Sequence, residues 1–180
     1  MIGQDRIMDE KTIIEKLRKI DLFQGIKDDD QRLAKLAGIV SVRHCKAGHQ
    51  VITEGEVGSE LYVLNKGTVA ILKRTLDNDV YTIVRLRDDE DVFFGELALM
   101  DAELRSASVS ADTDCEFLVI SRNDFNSLGE EDPRLGLLVT RALGRALSKR
   151  LRKTNEDLII LFEALVGEVA EGGRLEEPGE

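Results

Sequence analysis

From Val40 to Ile120 the apolar residues fall on every second position, in short runs broken by glycine or acidic turns. The runs are Val40–His44, Gln50–Thr53, Leu61–Asn65, Thr68–Arg74, Val80–Leu86, Ala107–Ala111 and Cys115–Ser121. A period of two sends alternate side chains to opposite faces of a strand, so each run can bury one face. Several short strands at this spacing predict a closed or two-layered antiparallel sheet. The turns Glu54-Gly55-Glu56-Val57-Gly58 and Asn65-Lys66-Gly67 carry the glycines that tight reversals need.

Both flanks change to a helical period. Residues 9–20 place Ile13, Ile14, Leu17 and Ile20 on one stripe. Asp21-Leu22-Phe23 breaks it, and Asp28 to Asp30 offer caps for a second helix through Leu33, Leu36 and Ala37. Residues 122–131 read as a short helix or turn. Pro133 suits a helix start, and a helical pattern then runs to about Val169. The expected fold is α+β: an antiparallel β-roll, or jelly-roll-like barrel, with N-terminal helices and a long C-terminal helix. The expected domains are an N-terminal helix at 1–20, the roll at 21–132, the long helix at 133–169, and a disordered Gly-, Glu- and Pro-rich tail at 170–180.

Composition narrows the function. A net charge of −10 disfavours DNA or an anionic membrane as partner unless a basic patch forms locally. There is no apolar run of about 18 residues to span a bilayer. Met1–Glu10 is polar and shows no signal peptide, so a cytoplasmic location is expected. Cys45 and Cys115 fit a reducing compartment as small buried residues. Two histidines, His44 and His49, are too few for a histidine-based metal site, so no metal is expected.

Phe94-Gly95-Glu96-Leu97-Ala98-Leu99, followed by Arg105-Ser106-Ala107-Ser108-Val109, combines residues with complementary chemistry. Gly95 permits close backbone approach. Amides opening a short helix favour an anion. Arg105 offers a planar fork that matches phosphate oxygens. Glu96 can accept hydrogen bonds from hydroxyls. The set describes a pocket for a phosphate attached to a sugar. It resembles the phosphate-binding cassette of cyclic nucleotide-binding domains, whose pattern reads roughly F-G-E-L-A-L and then P-R-[AST]-A-[ST]-V. The glycines flanking Leu61-Tyr62-Val63-Leu64 follow the same family order. Leu104 stands where the family usually has proline, which implies a looser lead-in to Arg105.

The resemblance spans about residues 20–165 and implies a cyclic nucleotide held between the cassette and the long helix. The ligand-binding set it implies is Gly95, Glu96, Leu97, Ala98, Arg105, Ser106, Thr154 and Asn155. Lys149-Arg150-Leu151-Arg152-Lys153-Thr154-Asn155 is similar to the central helix of cAMP receptor-type regulators, where a Thr-Ser pair reads the adenine. That favours cAMP over cGMP. The family's DNA-reading members continue into a helix-turn-helix domain; some fifteen residues follow residue 165, so no DNA-binding domain is expected.

Gly144, Leu147, Leu151, Thr154, Leu158, Leu161 and Leu165 are spaced alternately by three and four, a heptad seam that favours a parallel homodimer over the alternative of packing on the barrel. Arg141, Arg145, Lys149, Arg152 and Lys153 read as a solvated face. No Ser-His-Asp or paired-carboxylate constellation accompanies the pocket, so the chain is expected to be no enzyme. The leading expectation is a non-catalytic cyclic-nucleotide sensor whose output goes to an unknown downstream protein. The alternative is a dimeric structural module whose pocket no longer binds nucleotide.

Overall fold

A computed structural model describes residues 8–75, 77–101 and 104–172 of the chain, with side chains through residue 167. By internal contacts it divides into two compact units, Met1–Ala142 and Leu143–Glu180.

The first unit opens with α1 (Glu10–Lys19), capped by the Asp9 carboxylate on the Thr12 amide. A short 3-10 turn, Asp21–Ile26, buries Leu22, Phe23 and Ile26. Next comes α2 (Asp30–Ala37), capped by Asp29 on the Arg32 amide. Both caps satisfy helix-end donors that would otherwise lack partners. Eight strands follow: β1 (Val40–Cys45), β2 (Gln50–Ile52), β3 (Glu60–Lys66), β4 (Thr68–Arg74), β5 (Val80–Arg87), β6 (Phe93–Phe94), β7 (Ser108–Ala111) and β8 (Cys115–Ser121). They form two four-stranded antiparallel sheets, β1-β8-β3-β6 and β2-β7-β4-β5. This is the expected β-roll.

Alternation decides what each strand contributes to the core. Tyr62, Leu64, Phe117, Val119, Cys45 and Cys115 from the first sheet meet Ile52, Val69, Val109 and Ala111 from the second. Tyr62, Phe94 and Phe117 form an aromatic cluster, with Tyr62 and Phe94 stacked at 5.5 Å and Phe117 edge-on to both. The alternate residues Leu61, Val63, Leu118 and Ile120 are also fully buried, so the first sheet is covered on both faces. Each such side chain contributes about 1.5–3 kcal/mol when removed from water. Cys45 and Cys115 face each other across β1 and β8 as buried thiols, and burial pushes both pKa values up.

Between the sheets' strands lie the 3-10 turn Asp88–Glu90 and the four-residue helix α3 (Leu97–Met100). Then α4 (Arg122–Glu131), capped by Ser121, packs on β8. The long helix α5 (Pro133–Gly172) begins in this unit, where the Asp132 carboxylate caps the Leu135 amide. Its first turns bury Leu135, Val139 and Ala142.

The second unit consists of the rest of α5. Its seam residues Leu151, Leu158, Leu161 and Leu165 are exposed, as are Ile159, Ile160, Phe162 and Val166. Most of the expected tail, from residue 173, lies outside the described residues. Among the described residues, no helix is long and apolar enough to cross a membrane.

Candidate functional site

The described residues between β6 and β7, 95–101 and 104–107, lie around one guanidinium. Gly95 takes a φ of +74°, a left-handed conformation that side chains rarely adopt, and so turns the chain out of β6 into α3. The first turn closes with Ala98 N–H donating to the Gly95 carbonyl at 3.1 Å and Leu99 N–H to the Glu96 carbonyl at 3.1 Å. This turn buries Ala98 and Leu99 and leaves Leu97 exposed. Glu96 is 3% exposed.

Arg105 crosses beneath this turn. Its Nη1 donates to the Gly95 carbonyl at 3.2 Å and its Nη2 to the Glu60 carbonyl at 2.9 Å. Space for the fork depends on two glycines. A Cβ on Gly58 would lie 2.0 Å from Arg105 Nε, and one on Gly95 2.7 Å from Nη1. Burial is the main cause that lowers the Arg105 pKa, opposed by Tyr62 and by the carboxylates of Glu60 and Glu96. An arginine stays protonated through such a shift. The result is a cation stripped of much of its water and facing neutral carbonyls, a setting in which an incoming anion is worth more than in bulk solvent.

The backbone on either side of Arg105 is clamped. Arg105 N–H donates to the Glu56 carbonyl at 2.8 Å, and Gly55 N–H returns a bond to the Arg105 carbonyl at 2.9 Å. Leu104 forms an antiparallel bridge with Val57. Of the lead-in for which a missing proline implied looseness, residues 102–103 lie outside the described residues, and Leu104 is held by its pairing to the β2–β3 loop.

Four further side chains hold the segment. Arg122, at the start of α4, donates to the carbonyls of Ala98, Gly58 and Asp101, the latter two at 2.7 Å. Arg43 on β1 makes a bidentate ion pair with Glu60, and Tyr62 Oη donates to the same carboxylate at 2.7 Å. Burial alone would raise the Glu60 pKa, but the bonds from Arg43 and Tyr62 bring it below the usual carboxylate range. Lys73 reaches from β4 to the Ser106 carbonyl. Of these, only Tyr62 stood out in the sequence, within the run Leu61-Tyr62-Val63-Leu64. Arg122, Arg43 and Lys73 act on residues distant in the chain, and only Gly58 lay in a turn already marked as meaningful.

The structure thus brings Gly95, Glu96, Leu97, Ala98, Arg105 and Ser106 into one segment. Thr154 and Asn155 belong to the second unit, both exposed on α5. Among the described residues, no group of three or more His, Cys, Asp or Glu side chains is placed to hold a metal ion.

The family model described as cyclic nucleotide-binding domain matches residues 42–132, from within β1 to the residue after α4. The chain belongs to this family. Two relatives illustrate its breadth. The cGMP-dependent protein kinase egl-4 of Caenorhabditis elegans is 31% identical over 128 residues, which are 71% of this chain and 16% of the kinase. The CRP-like cAMP-activated global transcriptional regulator of Mycobacterium tuberculosis is 30% identical over 159 residues, 87% of this chain and 66% of the regulator. The chain spans less than two thirds of either relative's length. Among solved structures, a cyclic nucleotide-binding domain from Methylobacillus flagellatus superposes with a TM-score of 0.70 at 26% identity, covering 83% of this chain and 82% of that one. In a cyclic nucleotide-binding domain of this fold, the loop from Gly95 to Ser106 is the segment whose sequence resembles the phosphate cassette.

Proposed function

We propose that the chain is a non-catalytic sensor that binds a cyclic nucleotide, cAMP in preference to cGMP, and passes the binding event to its C-terminal helix. The observation that carries this reading is Arg105. Its charge is half-buried, its backbone is clamped on both sides, and two glycines clear the space around its fork. A bidentate donor held this way suits the two exocyclic oxygens of a cyclic phosphodiester. Glu96, buried in the same segment as Arg105, takes the ribose 2′-hydroxyl, because an ionised carboxylate accepts hydrogen bonds from hydroxyls. Gly95, Leu97, Ala98 and Ser106 shape the rest of the cassette.

Thr154 and Asn155 contact the base, and α5 pairs with a second copy along its leucine seam, so that ligand biases how the paired helices pack. Support for cAMP comes from the helix sequence around these two residues. It also comes from the longer match to the relative named for cAMP, 159 residues against 128 for the one named for cGMP. No metal takes part, DNA is not a partner, and the downstream partner is a protein.

Calorimetric titration with cAMP and cGMP tests the reading. Saturable binding of one equivalent per chain is expected, tighter for cAMP, with the nucleotide recovered chemically unchanged after prolonged incubation. Absence of heat and of competition with either nucleotide at millimolar concentration overturns it.

A further inference from the structure

Lys73 stands at an unusual place for a lysine. On β4 it has the same parity as Val69 and Ile71, both of which pack into the core of the roll. A strand directs such a residue inward, but Lys73 lies near the strand's end, where its side chain stays 39% exposed and reaches the cassette. The Lys73 Nζ bonds the Glu54 Oε1 at 2.5 Å and the carbonyl of Ser106 at 2.7 Å. Glu54 is itself fixed. Its other oxygen accepts the Arg74 amide at 3.2 Å, and its own N–H donates to the Ser108 hydroxyl at 2.9 Å. Ser108 is buried. Directly beyond Glu54, Gly55 and Glu56 exchange backbone bonds with Arg105.

A solvent-exposed lysine–carboxylate pair would contribute little by itself. This pair differs because the ammonium bridges two segments that are far apart in sequence. It joins the β2–β3 loop, which holds the Arg105 backbone from one side, to the residue that follows Arg105. We propose that Lys73 and Glu54 form an ionic latch that positions Arg105 and Ser106, and thereby sets which exocyclic phosphate oxygen the arginine fork selects. The proposal rests on the reading that the cassette binds a cyclic nucleotide. Lys73 is a positioning residue: its bond goes to a carbonyl of the cassette and its influence on ligand passes through Arg105.

The test uses adenosine cyclic phosphorothioates, in which sulfur replaces one exocyclic oxygen or the other. Sulfur accepts hydrogen bonds poorly, so a fork held in one place discriminates between the Rp and Sp diastereomers. The full chain should bind cAMP and show a clear ratio between the two. Lys73→Met should weaken cAMP by about five-fold, the size of one net hydrogen bond, and should narrow the Rp/Sp ratio. Lys73→Arg, which can bridge the same two acceptors, should restore both. A Lys73→Met protein that binds with unchanged affinity and ratio overturns the latch, and so does an equal loss for both diastereomers that Lys73→Arg does not repair. Should Lys73→Met fail to fold by circular dichroism, Glu54→Gln decides: a narrowed ratio supports the latch and an unchanged one overturns it. A wild-type chain that binds no cyclic nucleotide removes the functional reading and the latch with it, whereas a wild-type chain that binds but ignores Lys73 removes the latch alone.

Discussion

Arg105 is a charge that the fold half-buries and bonds to the carbonyls of Gly95 and Glu60, with the Glu60 and Glu96 carboxylates nearby. Gly58 shows how closely the space is fitted. Its φ is not in the left-handed region, so alanine there brings no backbone strain; the three atoms nearest the added methyl all belong to the Arg105 guanidinium, at 2.0 to 2.7 Å. Because that end of the side chain can swing away, Gly58→Ala should melt within a few degrees of the wild type yet lose about ten-fold or more in nucleotide affinity, the worth of a charged hydrogen bond. A thermal melt paired with a binding titration checks both halves, and unchanged affinity would show that Arg105 does not read the ligand. Glu96 is tested by a cycle. The 2′-deoxy analogue of the nucleotide should bind the native chain less tightly than the parent compound, and should bind Glu96→Gln almost as well as the parent does. Equal losses in the two proteins would assign Glu96 a purely structural role.

The strands β1 and β3 carry a network whose pH dependence can be worked out. Tyr62, buried in the aromatic cluster, has its phenol pushed up to about 12 from 10.0, first by burial and then by its hydrogen bond to Glu60. A raised folded-state pKa means that the folded chain holds the proton more tightly than the unfolded one. That contribution is complete below pH 10 and is lost as pH rises to 12. Over that window the group should remove up to about 3 kcal/mol of stability. Urea unfolding of the wild type should steepen its decline between those limits relative to Tyr62→Phe, and parallel declines would contradict the assignment. Of these elements, the seven longer strands and the helix cap at Asp29 were legible in the sequence, because period and cap chemistry act locally, whereas Asp9, read as the first helical residue, is the cap of α1. The two-residue strand β6 was not legible, since Phe93–Phe94 is too short to show any period. The cassette's shape was legible in its glycine, carboxylate and arginine. Its supports at Arg43, Lys73 and Arg122 were not, because each acts on a carbonyl or carboxylate that folding brings from a distant part of the chain.

The division at Ala142 and Leu143 separates a roll with a full core from a helix whose apolar residues from Leu151 to Val166 lie exposed. The heptad spacing of Leu147, Leu151, Leu158, Leu161 and Leu165 gives that exposure a purpose if a second copy covers it. Leu158→Lys would then oppose two like charges across a symmetric seam. Sedimentation velocity should show a wild-type dimer and a Leu158→Lys monomer, with weaker nucleotide binding in the monomer if Thr154 and Asn155 act across the pair. A wild-type chain that sediments as a monomer with and without cAMP would contradict this assembly and leave the base to be covered within one chain. The assembly, however, depends on the more basic claim that this acidic molecule, with a net charge of −10, admits an anion at one clamped arginine. Equilibrium titration of labelled cAMP against wild type and Arg105→Lys tests that claim most directly, with folding of both verified by circular dichroism. The lysine keeps the charge and loses the fork. Saturable binding by the wild type and a loss of about ten-fold or more in the variant is the predicted result; equal affinity in two folded proteins would contradict it.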